Sequence, residues 1–339
     1  MKLHLESYPF GAADHARKLL IMHLPDGFLD TKTALLSTGV AAAGIGVALR
    51  QVRLTLSPRK TPLLGLAAAF IFAAQMLNFP VIGGTSGHLM GGVLAAILLG
   101  PAAAVVVMTC VLLVQCFMFA DGGITSLGAN VFNMALVNVC GGYLAYRAIR
   151  ALVPLEPTRS TLFAGAFAGW LGTVLASVSC AGQLALSQTA PWQLAFPAMV
   201  NIHMLIGIGE GLATGLVLLA IFRTRPDLLT GLEPAHSGFG PLLGYSLVIS
   251  GGLALFVAPF ACPWPDGLEA VAHRLGFSQN SAAAAGAPLA DCQLPFIGSP
   301  TVATAAAGCA GTVIAFIGAY LLARLLVPVL DPAKKDAPN

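Results

Sequence analysis

The chain has 339 residues, of which 57% are apolar and only 9% are charged, and its formal net charge is +3. An ordinary soluble domain has about 25% charged residues, so this composition excludes a soluble fold. The small net charge gives no support to nucleic-acid binding, and seven cysteines are too few for a disulfide scaffold. We therefore predict an all-α polytopic membrane protein.

Apolar runs that could cross a bilayer, about 20 residues each or fewer where a helix is broken, recur along the chain. They predict nine helices, at 33–50, 62–79, 88–100, 101–119, 127–148, 162–183, 197–222, 241–260 and 302–326. The run 88–119 is divided at Gly100-Pro101, because proline suits the first turn of a helix and breaks a helix interior.

The polar, Pro/Gly-rich stretch 224–240 has the composition of a linker, and it divides the chain into units. We predict a seven-helix bundle over 22–223 and a two-helix hairpin with a large outer loop over 241–327. Residues 328–339 form a tail, and residues 1–21 form an N-terminal extension.

Lysine and arginine concentrate on the cytoplasmic side of membrane proteins. With the loops 51–61, 149–161 and 223–240 and the C-terminal tail inside, the basic residues at or near that side are Arg50, Arg53, Arg59, Lys60, Arg147, Arg150, Arg159, Arg223, Arg225, Arg324, Lys334 and Lys335. Beyond residue 21, the outer side has only Lys32 and Arg274. We expect a multi-pass protein of the cell membrane with a cytoplasmic C-terminus.

Two histidines precede predicted helices on the outer side. His23 lies just before the first helix, and His88 follows a glycine-rich run before the third. Two imidazoles at one mouth of a bundle suit a borderline metal such as Ni²⁺, Co²⁺, Cu²⁺ or Zn²⁺. Hydrogen bonds to helix ends or loop carbonyls would also explain an isolated histidine.

Polar side chains within membrane helices are costly, so each is a functional candidate. His203 and Glu210 share one face of the seventh helix, two turns apart. They could form a structural polar clasp or take part in metal passage. Asn130 and Asn133 could bond across helices, near the metal or along its pathway.

Cys262 and Cys292 both lie in the predicted outer loop. On the oxidising side of a membrane, such a pair can form a disulfide. Two free thiols explain the sequence equally well.

Four ordered motifs over residues 22–223 resemble the CbiM/NikM family: MHLPDGFL at 22–29, GGTSGHL at 83–89, LGANVFNM at 127–134 and HMLIGIGE at 203–210. This family comprises the substrate-capture components of energy-coupling-factor (ECF) transporters for cobalt or nickel. PDGLE at 265–269, followed by RLGF at 274–277, resembles the PDGLE (NikN-like) accessory domain. The chain thus resembles a NikMN-type fusion.

The resemblance implies six core helices with an extra N-terminal helix, and a metal site built from nitrogens. Its ligands would be the terminal amine of Met22, the amide nitrogen and imidazole of His23, and the imidazole of His88. Four nitrogens in a plane suit Ni²⁺. We expect no cofactor beyond the transported Ni²⁺ or Co²⁺, and the PDGLE-like part favours nickel by family habit.

The resemblance also implies partners, namely a transmembrane coupling protein (CbiQ/NikQ-like) and cytoplasmic ATPases (CbiO/NikO-like). This chain has no Walker motif, so we expect a transport subunit and not an enzyme. Ala69 and Ala73 resemble the small-residue patch that related subunits press against the coupling protein, although internal packing explains them equally well.

The main rival is a proton-coupled secondary transition-metal transporter, in which the face carrying His203 and Glu210 relays protons. A membrane enzyme and a metal sensor without flux are further alternatives, and no catalytic set supports the enzyme.

A peptide bond before Met22 would occupy the amine that the resemblance assigns to the metal. We therefore expect translation to start at Met22, or residues 1–21 to be removed. Intact-mass measurement of the endogenous protein should give the mass of the chain from Met22. Retention of residues 1–21 would contradict the four-nitrogen site.

Overall fold

The computed structural model describes residues 23–230, 239–282, 286–292, 294 and 296–327. Its main helices are α1 (Thr31–Thr55), α2 (Thr61–Gln75), α3 (Gly92–Leu99), α4 (Pro101–Phe119), α5 (Leu127–Leu152), α6 (Pro157–Leu186), α7 (Trp192–Thr224), α8 (Phe239–Gly252), α9 (Gly267–Leu275) and α10 (Pro300–Leu326). A π-helical segment lies within α5, at Val131–Gly141. A second such turn, Leu253–Val257, and a 3₁₀ turn, Ala258–Phe260, extend α8.

The all-α polytopic membrane fold predicted from composition is confirmed. Among the described residues, six helices are long and apolar enough to cross a membrane, and α2 and the stretch Gly244–Phe260 are shorter apolar helices. Each of the nine predicted helices corresponds to one in the structure. The break at Gly100 is also present, because Gly100 has a φ of 86° and Pro101 opens α4.

Several predicted boundaries differ from the observed ones by four or five residues, and at one place the difference reflects a structure that the sequence analysis missed. The second helix ends at Gln75 and the third begins at Gly92, because the chain between them forms an antiparallel hairpin of β1 (Phe79–Val81) and β2 (Thr85–Gly87). Gly83 and Gly84 both have positive φ angles at its turn, a conformation that glycine adopts at little cost. The sequence analysis missed this hairpin and also α9, which is too short to span a membrane.

Small residues set the packing of the helix pairs. Helices α6 and α7 pack along their length, and α10 packs against α2 and α4. Ala69 and Ala73 are completely buried in α2, so the structure places them in internal packing. The coupling role implied for them stays a prediction, and it would require α2 to be uncovered.

The C-terminal part of the chain covers the loops at one end of the bundle. The amide of Cys262 donates to the carbonyl of Asn78 at 2.8 Å, that of Ala282 to Asp26 at 2.8 Å, and that of Leu289 to Met118 at 2.8 Å. Cys262 carries a free thiol, so the structure does not contain the disulfide to Cys292 that the sequence allows. That disulfide stays a prediction.

Gly211 and Gly215 of α7 provide a matched test of the α6–α7 packing. A Cβ at Gly211 would lie 2.6 Å from the carbonyl oxygen of Ala166, whereas one at Gly215 would make an ordinary 3.5 Å contact with the Ala166 Cβ. Gly211→Ala should therefore lower stability by about 1–3 kcal/mol through overpacking. Gly215→Ala should leave stability unchanged or raise it. Thermal unfolding in detergent measures both, and equal midpoints would contradict the packing described.

Candidate metal site

A cavity of about 80 Å³ lies at the covered end of the bundle. Its lining includes three histidines, two asparagines and one aspartate, namely His23, His88, His203, Asn130, Asn133 and Asp266. These side chains come from five separate parts of the chain. Five of these six residues were singled out from the sequence. Met22, which the resemblance makes a ligand, lies outside the described residues.

His23 is buried, with 3% of its surface exposed. Its Nδ1 lies 2.9 Å from Oδ1 of Asp121, and its Nε2 has no hydrogen-bond partner among the described residues. The loop after α4 can approach this closely because Gly122 has no side chain, since a Cβ there would lie 3.0 Å from the Cβ of His23. Like Nε2, the Nδ1 atom makes no hydrogen bond of regular geometry among the described residues, so either ring nitrogen can bind a cation.

His88 faces His23, and the two ring centroids lie 5.8 Å apart. Metal–imidazole bonds are about 2.0–2.1 Å long, so rings at this separation can both reach one cation. The Nδ1 of His88 lies 3.2 Å from the carbonyl oxygen of Leu89. A carbonyl only accepts, so Nδ1 carries the proton and Nε2 is the available ligand. Burial, together with the nearby His23, lowers the pKa of His88 to about 4, so this imidazole is neutral near pH 7.

The backbone that carries His23 is held by two clamps. Asn130 accepts from the Leu24 amide at 2.9 Å and donates to the Leu24 carbonyl at 3.1 Å. The carboxylate of Asp26 accepts from the backbone amides of Ile124, Thr125 and Ser126, at 3.1, 2.8 and 3.3 Å. Each such bond contributes about 0.5–1.5 kcal/mol, and more where one partner is charged. Asn130 therefore positions His23 by binding the residue beside it.

Glu210 does not line the cavity, and its carboxylate binds the loop that carries His88. Oε2 accepts from the amide of Met90 at 2.7 Å, and Oε1 accepts from that of Gly91 at 2.9 Å. These amides lie at the N-terminus of α3, where a helix dipole favours negative charge. This geometry is that of a polar clasp, the first of the two alternatives considered for Glu210.

Asn133 belongs to a chain of polar contacts across three helices. Its Nδ2 donates to Oε1 of Gln183 at 2.7 Å, its Oδ1 accepts from Ser179 at 2.6 Å, and Gln183 donates to Ser37 at 3.1 Å. Interhelical bonds of this kind hold membrane helices in register. Asn133 thus satisfies buried polar groups beside the cavity.

His203 and Asp266 complete the polar lining. The Nδ1 of His203 lies 2.7 Å from the carbonyl oxygen of Met199, so its Nε2 is unprotonated. Asp266 caps α9 by accepting from the Glu269 amide at 2.7 Å. Burial raises the pKa of the Asp266 carboxyl to about 7.

Sequence reasoning missed two carboxylates at this end of the bundle. Asp266 was quoted within the PDGLE motif but was given no role, although an acidic residue in a motif near the metal side was a usable signal. The only sequence feature that marks Asp121 is the pair of glycines that follows it, so its contact with His23 could be found only from the fold.

The apolar helices define a multi-pass membrane protein, and its polar cavity carries imidazole and carboxyl groups, which are metal ligands in proteins. The pattern of the family described as "Cobalt uptake substrate-specific transmembrane region" (CbiM) matches residues 23–228. The chain belongs to this family.

Similar proteins agree with this assignment. A relative from Archaeoglobus fulgidus, "Putative fused nickel transport protein NikMN", is 39% identical over 89% of this chain and 98% of its own length. "Putative cobalt transport protein CbiM" from Methanococcus voltae is 33% identical over 64% of this chain and 98% of its own length. The solved "Crystal Structure of an transition metal transporter" is 30% identical, with a TM-score of 0.55, over 66% of this chain and 98% of that one. This is a metal-transport component and not an enzyme.

Glu210→Gln tests the clasp on the His88 loop. A glutamine amide offers one acceptor oxygen and turns an NH₂ group towards a backbone N–H, so one bond is lost and the other is no longer charge-assisted. We expect faster hydrogen–deuterium exchange at residues 88–92 and a loss of about 1.5–3 kcal/mol of local stability. Glu156→Gln is the control, since Glu156 also accepts from backbone amides but caps α6 at an exposed position. Unchanged exchange in Glu210→Gln would contradict the clasp.

Proposed function

We propose that this chain is the substrate-capture component of an ECF transporter that imports Ni²⁺, with Co²⁺ as the alternative metal. The observation that carries the proposal is the pairing of His23 and His88, which come from distant parts of the sequence and face each other in one polar cavity. Imidazole rings are ligands that both metals accept.

The proposed ligand set is the amine of Met22, the amide nitrogen and ring of His23, and the ring of His88. The six-membered chelate that joins the His23 amide nitrogen to its own ring closes through Nδ1. Capture would therefore replace Asp121 with the cation at this atom, where the two now lie 2.9 Å apart. Ligand deprotonation makes such binding strongest at neutral to alkaline pH.

Nickel is the favoured cargo on two grounds. A planar four-nitrogen set suits Ni²⁺. Relatives that are named as fused proteins are named for nickel transport, whereas relatives that are matched over 64% of this chain include several named for cobalt.

The proposed complex contains a transmembrane coupling protein and cytoplasmic ATPases, which drive release of the ion inward. In this arrangement the His23 end of the bundle faces outwards and the C-terminus is cytoplasmic. Asn130 positions His23 and Glu210 positions His88, so the site is assembled before the ion arrives.

His23→Ala and His88→Ala should each lower uptake of radiolabelled Ni²⁺ by at least about tenfold in cells that contain the partner proteins. The loss follows from the removal of one ligand in a small set. His273→Ala is the matched control, because His273 is half exposed on α9 and lies 3.7 Å from Glu269, away from the cavity. Near-normal uptake by either ligand variant, with normal amounts in the membrane, would contradict the site.

Energy coupling is tested separately. Deletion of the ATPase partners should abolish uptake, whereas collapse of the proton gradient in cells with constant ATP should leave its initial rate unchanged. Uptake that survives loss of the ATPases but stops with the proton gradient would favour the secondary transporter.

A further inference from the structure

The C-terminal unit, predicted over 241–327, forms one wall of the metal cavity. The amide of Ser86 in β2 donates to the carbonyl of Pro265 at 2.8 Å, and the Ser86 hydroxyl donates to that of Trp264 at 2.7 Å. Trp264 is 46% exposed, whereas Asp266 is 6% exposed. The segment 264–268 therefore lies between the cavity and the surface of the molecule.

Gly267 brings this segment against His203. A Cβ at Gly267 would lie 2.8 Å from Cε1 and 3.1 Å from Nε2 of His203, and 2.8 Å from Cδ1 of Ile206. These contacts leave no room for a side chain. The ring edge of His203 that carries its free lone pair thus faces the backbone next to Asp266.

Asp266 is a buried carboxyl group at the N-terminus of α9. The salt bridges found within the described part of the chain do not involve it, and its Oδ1 accepts from the Glu269 amide at 2.7 Å. A buried carboxylate is costly unless it is paired, takes up a proton or binds a metal. The unpartnered Nε2 of His23, in a side chain only 3% exposed, lies in the same cavity.

We propose that Asp266 and His203 form a second cation subsite, which receives the divalent ion at the wall of the cavity and passes it to His23 and His88. A carboxylate oxygen and a neutral imidazole nitrogen are a ligand pair for Ni²⁺ or Co²⁺. A two-ligand subsite binds weakly enough to release the ion to a site with more nitrogens. The inference rests on the proposed function, and it places one of the two ligands in the PDGLE-like unit.

The test measures the rate at which the full chain, purified from membranes with its own amino terminus, takes up Ni²⁺. Quenching of tryptophan fluorescence gives the rate, and metal analysis gives the amount bound. Asp266→Asn removes the charge but keeps a residue that caps helices well. His203→Asn keeps an N–H donor for the Met199 carbonyl and removes Nε2.

We expect each variant to bind the same amount of Ni²⁺ with an association rate lowered about tenfold. Asp266→Asn loses a charge that attracts the ion to the cavity, and His203→Asn loses a ligand that receives it. The double variant should be no slower than either single variant, since the two groups act as one unit. Glu269→Gln is the control, because Glu269 lies one turn into α9 beside His273 and outside the cavity lining. Its rate should change less than about twofold.

Unchanged association rates in both single variants would overturn the subsite. An equal slowing in Glu269→Gln would also overturn it, because the effect would then reflect the general charge of the loop. If Asp266→Asn fails to fold, a normal rate in His203→Asn overturns the subsite. Failure of the unmodified chain to bind Ni²⁺ or Co²⁺ would contradict the proposed function itself.

Discussion

The fold at this end of the bundle depends on the cost of burying polar groups in an apolar surrounding. An unpaired buried polar group costs about 1–3 kcal/mol, and a charged one costs more. The structure meets this cost by pairing buried side chains with backbone: Asn130 with Leu24, and Glu210 with Met90 and Gly91. Each pair also fixes a loop, so the groups that satisfy buried charge are the groups that bring His23 and His88 together.

Most of the architecture follows from patterns that the sequence displays directly. Long apolar runs predict the helices, and Gly100-Pro101 predicts the break between α3 and α4. The hairpin at 79–87 and the amphipathic α9 could not be found in this way, because both are shorter than a membrane span and are stabilised by contacts with distant residues. The hydrogen bonds from Ser86 to residues 264 and 265 are of this kind.

The candidate site was predictable to a similar extent. Of the seven histidines in the chain, His23, His88 and His203 stand out because they lie before or within predicted membrane helices. A polar clasp was one of the two alternatives for Glu210, whereas the roles of Asp121 and Asp266 did not follow from the sequence because they depend on what the fold places around them. Glu210 meets backbone amides, Asp121 meets an imidazole, and Asp266 caps a helix at the edge of the cavity. The same contacts give a physical reason for the C-terminal fusion, since residues from that unit complete the wall of the cavity.

The central claim is that His23 and His88 bind the transported cation together. X-ray absorption spectroscopy of the Ni²⁺-loaded chain, purified with its own amino terminus, tests this claim most directly. The account predicts a planar shell of nitrogen ligands, with outer-shell scattering from two imidazoles that falls to one in His88→Ala. A six-coordinate shell of oxygens without imidazole scattering would contradict it.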